Sequence, residues 1–182
     1  MQEEASQLNP FVYSDEMVAF VTAANNYCQF LEQSAEADGK AFIASQVEIL
    51  SRIYADFIVL GETDPVYDSV LEATVTEQDW AAVYQQIAKI MGPYNETLRP
   101  AEKDEFDRSE MVLHTVSEDL ADIYQELKDF TVIYSRGLEE LMNDAAWELK
   151  ERFAEHWGIK LLRSLLTLHD LYIRGVDPQE EE

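Results

Sequence analysis

The chain of 182 residues carries 37 acidic side chains against 13 lysines and arginines, a formal charge of −24. So acidic a surface repels phosphate backbones and anionic membranes, which argues against nucleic-acid binding and favours a basic or cationic partner. An apolar fraction of 47%, few glycines and prolines and a single cysteine describe one globular domain of long helices, with no intrachain disulfide and no cysteine-built zinc cluster.

In chain order, residues 1–13 read as a polar N-terminal lead with a turn at Asn9 and Pro10. The opening MQEEASQLNP lacks the basic start and apolar run of a signal peptide, and no stretch reaches the roughly 18 apolar residues of a membrane span. A cytoplasmic protein with no membrane partner is the expectation. Ser14 stands where an N-cap belongs, with Asp15 and Glu16 suited to the helix dipole behind it. The first helix turns Met17, Phe20, Val21, Ala24, Tyr27, Cys28 and Leu31 to one side. Cys28 lies in that stripe with no basic neighbour, so it reads as a small inert hydrophobe.

A turn at Ala37 to Gly39 leads to a second helix over about Lys40 to Leu60, ended by Gly61, and the short connection implies an antiparallel hairpin. From Glu62 to Val75 the pattern weakens into a short helix or an irregular crossing. Thr76 with Asp79 forms a capping-box pattern before a third helix running to Met91, where Gly92-Pro93 stops it. Residues 93–108 are polar, contain two prolines and read as the longest loop. A fourth helix is expected from near Ser109 to Gly137, with Ser117-Glu118 as a possible second cap.

Its later part, Ser117 to Tyr134, separates apolar from acidic residues most cleanly. Leu120, Ile123, Tyr124, Leu127, Phe130, Thr131 and Tyr134 recur at steps of three and four, and Glu118, Asp122, Glu126 and Asp129 form a column of like charge opposite them. Leu138 to Ile173 is helical almost throughout, divided or bent at Gly158, and the VDPQEEE tail after Gly175 reads as acidic and disordered. The sum is an all-α, single-domain bundle of about five to seven helices spanning residues 1–182.

The run EDLADIYQELKDF from Glu118, MNDA at Met142 to Ala145, WGIKLL at Trp157 to Leu162 with His169 beyond, and the opening MVAFVTAANNYCQFLE together resemble the uncharacterised bacterial family called domain of unknown function 5063. The resemblance spans about Ser14 to Tyr172. It implies an all-helical cytoplasmic bacterial domain and brings no activity and no catalytic residues.

Three constellations bear on chemistry. The acids Glu118, Asp119, Asp122, Glu126 and Asp129 are the candidate binding surface, a solvated face for a basic protein partner. As an alternative, Glu118, Asp119 and Asp122 facing Glu148 and Glu151 would supply oxygen ligands for Mg²⁺ or Mn²⁺ in a nucleotide pyrophosphohydrolase-like phosphohydrolase, although the ExxE and DxxD elements stand in reversed order. A ferritin-like di-iron site fails on spacing, because Glu110 and His114 are four apart and no second pair exists. His169-Asp170 resembles the dipeptide of metal phosphohydrolases, but beside an apolar stripe His169 reads as a hydrogen-bonded core histidine. No phosphate loop, nucleophile elbow or His-Glu-x-x-His helix occurs. The leading expectation is therefore a non-enzymatic acidic binding or adaptor module without a cofactor. Trp80 and Trp147 fall off the apolar stripes, where either could flank a groove.

Overall fold

The computed structural model describes residues 10–67, 71–100 and 111–180. Among these residues the chain forms six α-helices and one small hairpin: α1 (Asp15–Gln33), α2 (Gly39–Ile58), α3 (Glu77–Met91), β1 (Glu96–Pro100), β2 (Met111–Thr115), α4 (Val116–Tyr134), α5 (Glu139–Arg152) and α6 (Gly158–Arg174). The expected all-α bundle is present. The helix starts follow their caps, since Ser14 accepts from the Met17 amide, Asp38 from Ala41, and Thr76 with Asp79 completes the capping box.

α4 is the central element, packing against α1, α3, α5 and α6, while α2 lies between α1 and α6. Rings record the α1–α2 hairpin: Phe20 meets Phe57 edge-on at 5.1 Å near one end and Phe30 stacks on Phe42 at 5.7 Å near the other. Leu31, Phe42, Leu50, Ile53, Leu120, Leu127, Leu161 and Leu168 are buried together in one core. Tyr27 is fully buried among them and donates its hydroxyl to the Leu120 carbonyl at 2.8 Å, so burial leaves no polar atom of it unmatched. Cys28 is buried as expected, and burial pushes its thiol up to about 12.

Four expectations are corrected. Residues 111–115 are not the start of a helix; they form β2, antiparallel to β1 with Glu96 opposite Thr115 and Pro100 opposite Met111. The hairpin carries Asn95 to the head of α4, where its carbonyl accepts the Val116 amide at 2.8 Å and its side chain the Ser117 amide at 3.0 Å. Thr115 caps the Glu118 amide locally, so three of the four orphan donors are matched, two of them only once the hairpin brings Asn95 into place. Ser109 itself and the end of the expected loop lie outside the described residues.

The lead is not merely polar at its end: Val12 is fully buried and its carbonyl accepts from Tyr134 at 2.5 Å. The tail is packed through Gln179, because Val176 joins the core, Pro178 is buried against Gly39, and the Gln179 side chain donates to the Ala37 carbonyl at 3.2 Å. Proline has little chain entropy to lose there, and the α1–α2 turn supplies the surface. The fourth correction concerns His169, which is exposed on the outer side of α6 rather than in the core.

Between α5 and α6 the chain makes one π-helical turn, Phe153–Trp157. It turns Trp157 fully inward, where its indole donates to the Leu149 carbonyl at 3.0 Å and its ring meets Phe57 and Phe153 edge-on. Gly158 is required by this turn. A Cβ there would lie 2.5 Å from the Phe153 carbonyl oxygen.

Candidate binding face on the central helix

Asp119, Asp122, Glu126 and Asp129 share one side of α4 because their spacing of three and four keeps them in register at 3.6 residues per turn. The sequence reading made that side a solvated back. The bundle encloses it instead: Asp119 and Glu126 are buried, and Asp122 and Asp129 are half-buried. Each acid is matched. Asp119 takes a bidentate guanidinium from Arg163, at 2.8 Å to Nε and 2.7 Å to Nη2. Asp122 accepts the Trp80 indole N–H at 2.8 Å and pairs with Lys160. Glu126 faces Arg152 at 3.3 Å and His156 Nδ1 at 3.4 Å. Arg152, His156, Lys160 and Arg163 thus form a complementary row running antiparallel to the acids.

This row settles the cost of burial. An ion taken from water loses several kcal/mol of hydration, and only a well-placed partner offsets the loss. Sliding α6 one turn along α4 would leave Asp119 and Arg163 buried without each other, so the ladder defines the register of the two helices. Arg152 is shared between Glu126 and Glu148, the latter at 2.7 Å. Burial disfavours its charge, but the two carboxylates outweigh that effect and hold the guanidinium above its ordinary value.

Between α2 and α3, residues 61–67 and 71–75 form a strap across α4 and α5. Asp129 Oδ1 accepts the amides of Thr74 and Val75 and the Thr74 hydroxyl at 2.6–2.8 Å. Asp144 accepts the amides of Val66 and Tyr67 at 2.7 and 2.9 Å, Asn143 bonds Thr63 and the Asp64 carbonyl, and Lys150 donates to the Gly61 carbonyl at 2.7 Å. Irregular backbone needs partners for its amides, and carboxylates from the two helices provide them. The strap's weak hydrophobic pattern follows from this fastening by polar bonds.

Clefts open on either side of the strap and share Gln125. One is walled by Leu71, Glu72, Glu126, Asp129, Glu148 and Arg152, the other by Val75, Glu77, Trp80, Ala81 and Asp122. Trp80 therefore flanks a groove, stacked on Tyr84 with ring centres 5.2 Å apart and planes 12° from parallel. Glu118 and Glu151 point into solvent, away from the clefts, and Trp147 is half-buried on α5. The alternative ligand set is not brought together: Asp119 and Asp122 are paired to Arg163 and Lys160, Glu148 to Arg152, and among the described residues no three His, Cys, Asp or Glu are grouped to hold a metal. His114 is half-buried on β2, and Glu110 lies outside the described residues.

The reading from sequence missed the partners. Lys128, the one basic residue of α4, reaches across to Glu32 of α1 at 2.6 Å and not to the acids of its own helix. Arg152, His156, Lys160 and Arg163, at steps of four, four and three, carry the signal that would have revealed a basic stripe matching the acidic one.

The class defined by this geometry is a helical domain built round a central helix whose acidic side is neutralised internally. Among its described residues no helix is long and apolar enough to cross a membrane. Residues 11–174 match the family described as a domain of unknown function, DUF5063, and the chain belongs to that family. The fold is also that of a Bacteroides fragilis protein whose crystal structure was solved by a structural genomics consortium. The two are 30% identical and superpose with a TM-score of 0.79, over 88% of this chain and 94% of the other. No curated protein matches.

Proposed function

We propose that the protein is a non-enzymatic binding module of the bacterial cytoplasm, taking a basic segment of a partner protein and not nucleic acid, with the Trp80 cleft seating a lysine or arginine side chain. The observation that carries this reading is the lining of that cleft: the Trp80 indole, exposed Glu77 with no ion pair among the described residues, and no basic residue among those that line it. The indole N–H is fixed by Asp122, which holds the ring for a cation on its face. Pairing supports the same view. Arg152, Lys160 and Arg163 face α4, so the exposed acids keep the charge excess of the chain.

The test is calorimetric titration with a lysine- and arginine-rich peptide and with a glutamate-rich control. The basic peptide binds saturably, weakens as salt rises, and loses about 2- to 30-fold in affinity with Trp80→Ala, the span of a cation–π contact. Glu77→Gln weakens it further. Absence of saturable binding, or equal affinity in both variants, refutes the reading.

A further inference from the structure

Helix α6 carries two apolar seams. The inner one, through Leu161, Leu168 and Leu171, is buried in the core. The outer one runs Ile159, Leu162, Leu166, His169 and Ile173, at steps of three, four, three and four. Its apolar members are exposed by 50%, 42%, 62% and 67%, and Tyr172 beside them by 51%. Residues three and four apart are neighbours on a helix surface, so these side chains form one patch. At on the order of 100 Å² each they present about 500 Å², as large as the largest patch of an ordinary monomer, which is often functional.

We propose that this seam is the interface of an antiparallel homodimer, the occupant being α6 of a second copy of this chain. The alternation of three and four gives a continuous apolar stripe of the kind that seats a second helix. Four of its five positions, Ile159 to His169, read the same in both directions, so that part of the patch is complementary to itself across a two-fold axis, as an isologous contact demands. An axis between Leu162 and Leu166 sets each against the other in the second copy and Ile159 against His169, a polar group that fixes register.

Charge selects the same partner. α6 contains Lys160, Arg163 and Arg174 against the single acid Asp170. Lys160 and Arg163 turn inward to Asp122 and Asp119, and Arg174 pairs with Asp170 at 2.8 Å. The seam itself therefore carries no net charge on a chain of charge −24, with exposed Glu96 bordering it only at the Leu166 cleft. Two such strips can meet without opposing acids, while the remaining surfaces repel at long range. Dimerisation should consequently strengthen with salt, the reverse of binding a basic partner.

The experiment is sedimentation equilibrium of the full chain up to about 500 µM, since an interface of this size lies below the roughly 1,200 Å² of stable complexes. Wild type should show a reversible monomer–dimer equilibrium that tightens as salt screens the like charge. Leu166→Glu and Leu162→Glu should each weaken it by about 10-fold or more, as unpaired charges in an apolar contact. Val18→Glu, at an exposed position of α1, should leave it unchanged. Circular dichroism confirms folding, because every substituted position is exposed. A monomer at all concentrations overturns the proposal, and so does a dimer indifferent to Leu166→Glu.

Discussion

Removal of one partner from the Asp119–Arg163 pair tests the internal ladder most directly. The two side chains are 6% and 10% exposed and joined by two short bonds. Asp119→Ala takes a bidentate carboxylate away from a buried guanidinium, and breaking a buried pair costs about 3–5 kcal/mol. For a chain of this length each kcal/mol moves the melting temperature by about 2–4 °C, so a fall of about 6–20 °C is expected. The paired replacement Asp119→Leu with Arg163→Met removes both charges and should recover most of the loss, because two apolar groups need no mutual neutralisation. Urea melts followed by circular dichroism, arranged as a double-mutant cycle, give the coupling, with exposed Glu118→Gln as a control expected within about 0.5 kcal/mol. A loss under about 1 kcal/mol for Asp119→Ala, or a double variant no better than the single ones, refutes the claim that the acidic side of α4 is a buried, neutralised seam.

Other consequences follow from the same geometry. Gly158→Ala places a methyl group 2.5 Å from the Phe153 carbonyl and should cost about 1–3 kcal/mol by overpacking, visible as a lowered melting temperature with helix content retained. Asp129→Ala removes the acceptor of three strap donors, so the Thr74 and Val75 amides should exchange at least about 10-fold faster while α1 and α2 keep their protection; unchanged exchange would remove Asp129 as the strap's anchor. Burial raises the Cys28 thiol to about 12 and also raises Tyr27 and Tyr124. The native state then holds protons that the unfolded chain releases, so stability is full below about pH 8.5, falls as pH rises toward 12, and falls less steeply in Cys28→Ala. A flat melting temperature from pH 8 to 11 contradicts this. Because Lys160 and Arg163 already neutralise Asp122 and Asp119, excess Mn²⁺ should not raise the melting temperature over EDTA at matched ionic strength. A specific site filled to 100 times its dissociation constant would add about 2.7 kcal/mol, and a shift of that size absent from Asp122→Asn would restore the phosphohydrolase alternative.

Much of this architecture is written locally. Ser14, the Thr76 and Asp79 pair and Gly92 mark their helix ends because a cap is satisfied within three or four residues of itself. The stripe from Leu120 to Tyr134 identifies α4 because helical periodicity is a property of one segment. Cys28 follows from the same rule. What tertiary structure alone decided is every relation between segments. Met111 to Thr115 became β2 through pairing with residues 96–100, across a separation no local pattern encodes. Pro178 is buried because the α1–α2 turn lies beneath it. The acids of α4 show the difference most plainly: their spacing fixed which side of the helix they occupy, but only the approach of Arg152, Lys160 and Arg163 from helices far along the chain made that side an interior one. A carboxylate leaves water only where a well-placed cation offsets its lost hydration, and whether one arrives is settled by packing, not by its neighbours in sequence.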